Sequence, residues 1–302
     1  MSNKDSTCYN YDQDIPVKME IKNGSNKKIY KKIVKKRRTL KLWVWFLIFG
    51  ILIFAIVLSF LKIFSWGKDN KDIDNIIDDV EQEYDLVYDN ENTELINEPD
   101  DKNNDYWYYV TFPLIKVDFS ELIKKNDDTV AWINVNNTNI NYPVVQYSDN
   151  DYYLEHSYDK SENRAGWVFM DFRNNSNFDN KNTIIYAHSR VNKTMFGSLS
   201  NVLNDDWYQN KDNHIIRIST IKENSLWQIF SVYVVKSETY YIKTNFDGGN
   251  EYQEFLDTVE GRSKYDFKTN LSSDDKILTL STCYSDTERV VVHAKLIKKE
   301  KR

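Results

Sequence analysis

Apolar and polar positions change character three times along this chain. After a polar start, residues 42–61 read LWVWFLIFGILIFAIVLSFL, twenty positions without a charge. At about 1.5 Å per residue, a helix of that length spans roughly 30 Å, the thickness of a bilayer core. The run outlasts the roughly 7–15 apolar residues of a secretory signal, and Lys62-Ile-Phe-Ser-Trp66 offers no small-residue cleavage site. Trp43, Trp45 and Trp66 suit the two membrane interfaces. A retained transmembrane helix over 42–64 is therefore expected.

A different pattern follows. Ile73, Ile76, Ile77, Val80, Tyr84 and Val87 fall near one helical face. They predict an amphipathic helix over residues 72–88, docked on the next domain, with a floppy stretch at 90–105. From residue 106 the dominant signal is β. Residues 131–135, 142–146, 183–187, 215–219, 227–235, 276–282 and 289–297 are runs of β-branched or aromatic character. Asp118 reads as the start of a capped helix. One late helix stands out: Asn250 is a candidate cap with Gln253 three residues on, and Tyr252, Phe255, Leu256 and Val259 form its apolar face up to Gly261. Many strands with few helices predict a mainly β fold, a closed or nearly closed barrel.

Charge sharpens these divisions. The 302 residues carry a formal net charge of −6, and the mean hydropathy is −0.65. Both averages hide segments. Residues 1–41 hold twelve Lys/Arg against four Asp/Glu, whereas residues 68–105 hold fifteen Asp/Glu against three Lys. The basic flank predicts a cytoplasmic N-terminus and an extracellular remainder. The expected organisation is a basic tail (1–41), a membrane anchor (42–64), an acidic and partly helical juxtamembrane segment (65–105) and a β domain (106–302). Nothing in the charge suggests nucleic acid as a partner. The two cysteines exclude a disulfide-dense scaffold and a four-cysteine zinc site.

Topology places Cys8 inside and Cys283 outside, so Cys283 is a solitary external thiol. It sits where the strand Lys276-Ile-Leu-Thr-Leu-Ser-Thr ends before a polar turn. The bland alternative is a small buried hydrophobe. A cysteine nucleophile needs a proton partner and a stabiliser for the oxyanion formed on attack. Among the four histidines, His188 occupies a matching position, at the end of Thr-Ile-Ile-Tyr-Ala and before a polar loop. His156, His214 and His293 read as packing or hydrogen-bonding residues. Arg289 opens the final strand, with five residues between it and the cysteine, and a guanidinium can hold an oxyanion.

These residues resemble a known family. Thr279-Leu-Ser-Thr-Cys283 with Arg289 before a Val-rich strand is similar to the signature of sortases, as is Ile185-Tyr-Ala-His188 followed by Thr194-Met-Phe-Gly-Ser-Leu199. Asn141-Tyr-Pro-Val-Val-Gln146, Asp151-Tyr-Tyr-Leu154 and Gly166-Trp-Val-Phe-Met-Asp-Phe-Arg-Asn174 resemble class B in particular. The loop between Cys283 and Arg289 is shorter than is usual there, and Ala187 stands where glycine is common. The resemblance implies an eight-stranded sortase barrel with an N-terminal helical extension and a helix before the cysteine strand. It implies a cysteine transpeptidase that cuts a C-terminal sorting motif of secreted proteins after Thr and passes the acyl group to an amine of a cell-wall peptide or lipid-linked precursor. Cys283 would be the nucleophile, His188 the general acid/base and Arg289 the oxyanion holder. Ser281 and Tyr186 would line the substrate groove. No metal or cofactor is implied. Two other readings stay open on the residues alone: an anchored cysteine peptidase that hydrolyses, and a wall-binding scaffold with an inert cysteine.

Overall fold

The computed structural model describes residues 41–81, 87–89, 93–236, 238–283 and 287–302. The chain divides into two compact units, residues 1–62 and 63–302. In the first unit the described residues are helical from Leu42, and apolar side chains such as Phe46, Phe49 and Phe54 are exposed along it. This helix, α1 (Leu42–Glu81), is long and apolar enough to cross a membrane. The basic tail and Cys8 lie outside the described residues.

The second unit begins within the same helix. Ile73 and Val80 are buried in the main core, and Ile76 and Ile77 pack against it. At about 25 cal/mol per Å2, a fully buried isoleucine stabilises such docking by roughly 1.5–3 kcal/mol. Lys125 adds an ion pair to Asp79 at 2.7 Å. The acidic amphipathic helix is thus present, but it starts earlier than the apolar periodicity and does not reach residue 88. Val87–Asp89 is instead a strand, β1, paired antiparallel with β3 (Leu114–Lys116). The stretch expected to be floppy also carries a strand, β2 (Glu94–Leu95), paired with the end of the chain at Lys299 and Lys298. Helix α2 (Tyr106–Tyr109) buries Tyr106 and Tyr109 against Leu226 and Ile297. Two buried cations hold the backbone that follows: Lys298 Nζ donates to the Val110 and Phe112 carbonyls at 2.7 and 2.6 Å, and Arg217 Nε to Pro113 at 2.8 Å.

Helix α3 (Ser120–Lys125) starts where expected, with the Asp118 carboxylate accepting from Ser120 N at 2.9 Å. The barrel strands are β4 (Thr129–Val135), β5 (Asn141–Val145), β6 (Phe169–Met170), β7 (Asn182–Tyr186), β8 (Ile215–Thr220), β9 (Glu223–Lys236), β10 (Ile277–Cys283) and β11 (Glu288–Lys301). Their order is β10-β7-β6-β5-β4-β8-β9-β11, and β10–β11 pairing closes the ring. Eight strands close, and side chains including Trp132, Trp167, Trp227, Val232, Leu280 and Val290 build the main core. Only β5–β6 and β7–β10 are parallel pairs within the ring. Register shifts between β9 and β11 at His293/Ala294 and Leu296/Lys298 let these long strands bend around it.

Short elements decorate the barrel. Helix α4 (Asp205–Gln209) follows a 3-10 segment, Gly197–Leu203. Helix α5 (Gly249–Gly261) buries Tyr252, Phe255, Leu256 and Val259 over Phe230, Ile277 and Val291, the apolar face read from the sequence. Its start differs from the expected Asn250 cap. Gly248, at φ 109°, occupies the cap position, and Gln253 Nε2 instead donates to Asp257 one turn on, at 2.9 Å.

Candidate active site

Three strands bring the residues of interest to one end of the barrel. In the parallel β7–β10 pair, Tyr186 lies opposite Ser281. His188 is two residues beyond the first and Cys283 two beyond the second, so both leave their strands at the same end. In the antiparallel β10–β11 pair, Cys283 lies opposite Arg289. A buried hydrogen bond of 2.7 Å from Thr282 Oγ1 to the Ala187 carbonyl continues the β7–β10 link past the last ladder pair. It holds the two strand ends together where the candidate nucleophile and base emerge.

His188 is fixed from several sides. Its Nε2 lies 2.8 Å from the Leu154 carbonyl. A carbonyl only accepts, so Nε2 carries the hydrogen and the neutral ring keeps its basic lone pair on Nδ1. The His188 carbonyl accepts from Phe196 N at 3.0 Å, and Ser189 bridges to Met195 across the loop. Behind the ring is Gly166, at φ +60°. A Cβ there would fall 2.9 Å from His188 Cδ2 and 2.5 Å from the Tyr153 carbonyl. Arg289 is half buried, and its Nη1 donates to the Glu288 carbonyl at 3.0 Å.

The remaining histidines are committed elsewhere. His156 stacks on Tyr152 with ring centroids 3.9 Å apart. His214 is buried between Tyr109 OH and the Tyr208 carbonyl, each at 2.8 Å, and burial pushes its pKa down to about 4. His293 is fully buried, bonded to Tyr233 OH and Thr279 Oγ1 at 2.8 Å, and burial pushes it down to about 3. Both are structural and neutral near pH 7.

Ser281 and Tyr186 adjoin the same strand ends. Ser281 is buried, with its Oγ 3.0 Å from Tyr241 OH. Tyr186 OH donates to Asp171 Oδ2 at 2.9 Å. Burial works to raise the Asp171 carboxyl, but hydrogen bonds from Arg173 and Tyr186 outweigh it and hold the group below the usual carboxylate range. Arg173 grips Asp171 with Nε and Nη2 at 2.8 and 2.7 Å, and its Nη2 also reaches the Ile242 carbonyl at 3.0 Å. Asn182 Nδ2 donates to the Tyr241 and Lys243 carbonyls. The 3-10 turn Tyr240–Ile242 is thereby pinned beside β7 and β10 as a wall. A cavity of about 670 Å3 is lined by Lys193, Asn201, Tyr233, Arg262 and Lys264 among others.

Residues 133–297 match the family model of the sortase domain. The chain belongs to the sortase family. It is 35% identical over 193 residues to sortase B of Listeria monocytogenes and 38% over 188 residues to sortase B of Staphylococcus aureus, in each case over 61% of this chain and 76% of the relative. Among solved structures, the Staphylococcus aureus sortase B–substrate complex superposes with a TM-score of 0.56 at 38% identity, covering 60% of this chain and 84% of that one. A sortase B-like protein of Bacillus anthracis reaches 0.60 at 33% identity, covering 78% and 98%. These relatives make this chain a class B sortase, a cysteine transpeptidase with the eight-stranded barrel expected of it. Of the sortase's two cysteines, Cys8 lies outside the matched span and Cys283 inside it. Leu154 and Gly166 both fall in the motifs quoted from the sequence, but their part at the rim, the carbonyl behind His188 and the glycine that admits it, escaped the sequence reading. A lone glycine before Trp167 carried no signal of its own. The Asp171–Arg173–Tyr186 cluster was also unread, although Asp171 and Arg173 fall inside the motif from Gly166 to Asn174.

Proposed function

We propose that Cys283, His188 and Arg289 carry the acyl transfer. The observation behind this reading is the register: β7, β10 and β11 are neighbours, and all three residues lie at one end of them. Cys283 passes its proton to His188 Nδ1, and the thiolate attacks the carbonyl carbon of a Thr in a C-terminal sorting motif. Arg289 holds the substrate backbone and the negative oxygen of the tetrahedral intermediate. The C–N bond then breaks as His188 protonates the leaving amine, and a thioacyl enzyme remains. An amine of a cell-wall peptide or lipid-linked precursor gives a proton to His188 and attacks the thioester, and the Cys283 thiolate leaves. Ser281 and Tyr186 border the groove that takes the motif.

Residues 42–64 anchor the enzyme in the membrane, with the basic tail of 1–41 in the cytoplasm and the barrel outside. The apolar α1 and the +8 charge of the tail support that orientation. A related sortase B, 38% identical with a TM-score of 0.57, has been crystallised in complex with triglycine, which makes this peptide a suitable acceptor probe.

The test uses the full chain in detergent with a sorting-motif peptide, with and without triglycine. Mass spectrometry should find an acyl adduct on Cys283 and a peptide–triglycine product, and Cys283→Ala should abolish both. His188→Ala and Arg289→Ala should each lose at least ~10²-fold in rate. Near-normal turnover in either variant would refute its role, and hydrolysis alone at saturating triglycine would refute the amine assignment.

A further inference from the structure

One turn of α1 touches both segments that enclose His188. The Asp69 carbonyl accepts from Asn163 Nδ2 at 3.1 Å, and the Asn70 side-chain oxygen accepts from Arg190 Nη2. Asn163 is buried and organises the loop that ends on Gly166. Its Oδ1 accepts from Ala165 N at 2.9 Å, and its carbonyl accepts from Gly166 N at 3.0 Å. Gly166 is the residue packed behind the imidazole.

Arg190 is two residues past His188, in the loop on the other side. It is half buried, and burial lowers its pKa against the opposing pull of the Asp74 and Asp69 carboxylates. Its backbone is pressed against Gly197, where a Cβ would collide with the Arg190 carbonyl. Ile73, in the next turn of α1, is buried in the main core and sets the depth of the contact.

We infer that the Asp69–Asn70 turn of α1 is a positioning element for His188, clamping the 163–166 loop on one side and the 188–197 loop on the other. This rests on the proton-transfer role proposed above for His188. The turn touches neither substrate nor reacting atoms and acts through the imidazole alone. A base displaced by about 1 Å costs up to about 10²-fold in rate, so loosening either contact should lower kcat. The groove beside Ser281 and Tyr186 is left intact, so KM should be unchanged.

The experiment compares Asn70→Ala, Asn70→Asp, Asn163→Ala, Asp79→Ala and His188→Ala in the full chain in detergent. Asn70→Ala and Asn163→Ala should lower kcat by about 10-fold with KM within about 2-fold. Asn70→Asp keeps an acceptor for Arg190 and should restore most of kcat. Asp79→Ala removes the ion pair to Lys125 at the far end of the docked helix, and it should lower thermal stability without that loss of kcat. Hydrogen exchange of residues 188–197 should quicken in Asn70→Ala and stay normal in Asp79→Ala. Equal kcat losses in Asn70→Ala and Asp79→Ala would mean that helix docking stabilises the fold only, and would overturn the proposal. So would normal turnover in Asn70→Ala alongside an inactive His188→Ala. Normal turnover in His188→Ala would instead remove the proton-transfer role, and this proposal with it.

Discussion

Gly166 joins backbone conformation to chemistry. Its φ of +60° is open to glycine, and the missing side chain lets His188 and the Tyr153 and Leu154 carbonyls converge. Gly166→Ala meets backbone at 2.5 Å and the imidazole at 2.9 Å, so something must move. The expected outcome is a loss of about 1–3 kcal/mol in urea unfolding. Turnover should fall more than stability explains, because the displaced group is His188. An alanine variant with unchanged kcat would separate this glycine from the site. His188, Cys283 and Arg289 stand out in the sequence as candidates because each lies at a boundary between an apolar strand and a polar loop. Gly166 does not, because its requirement comes from a distant segment crossing it. Lys298 and Arg217 show the same limit: both are charged in sequence, yet both are buried with backbone carbonyls as partners that no local pattern reveals.

At the scale of elements, the site depends on adjacent strand ends staying in register. The β7–β10 ladder ends at Tyr186 and Ser281, and the Thr282–Ala187 bond carries it one step further. Thr282→Val keeps shape and volume but leaves the Ala187 carbonyl without that donor. A buried acceptor left unsatisfied costs about 1–3 kcal/mol. The expected result is a measurable loss of stability with a several-fold fall in kcat, read by urea unfolding and steady-state rates. Full activity at reduced stability would show that the bond serves the fold alone. The long barrel strands were legible from alternation and β-branching, because their residues face a core on one side. The two-residue strands β2 and β6 were not. A pair such as Glu94–Leu95 has no period of its own, and its pairing depends on where β11 ends. Helix α1 failed differently. The apolar span and the amphipathic stretch each had a clear pattern, but nothing between them marked a stop, and the chain continues through as one helix.

At the scale of the whole molecule, two histidines kept neutral by burial set how the barrel responds to acid. Unfolded, an imidazole titrates near 6.5. Folded, burial delays protonation to about 4 at His214 and about 3 at His293. Above about 6.5 the two states bind equal numbers of these protons, and their contribution to stability is complete. As pH falls below 6.5 the unfolded chain takes up protons that the folded chain refuses. Each histidine then removes up to about 1.4 kcal/mol per pH unit, levelling off near the folded values. Below about pH 4 the depressed Asp171 carboxyl adds a loss of the same sign, since protonating it sacrifices its bonds to Arg173 and Tyr186. Unfolding free energy in urea, measured on the full chain in detergent, should therefore be flat from pH 8 to 7 and fall steeply from 6 to 4. His293→Gln should be less stable at pH 7 because its Tyr233 and Thr279 partners lose their geometry, but its acid slope should be shallower by about one proton's worth. A slope equal to that of the unmodified chain would show that His293 is not the group being titrated. A His293→Gln variant should move the stability curve and leave the shape of the rate profile unchanged.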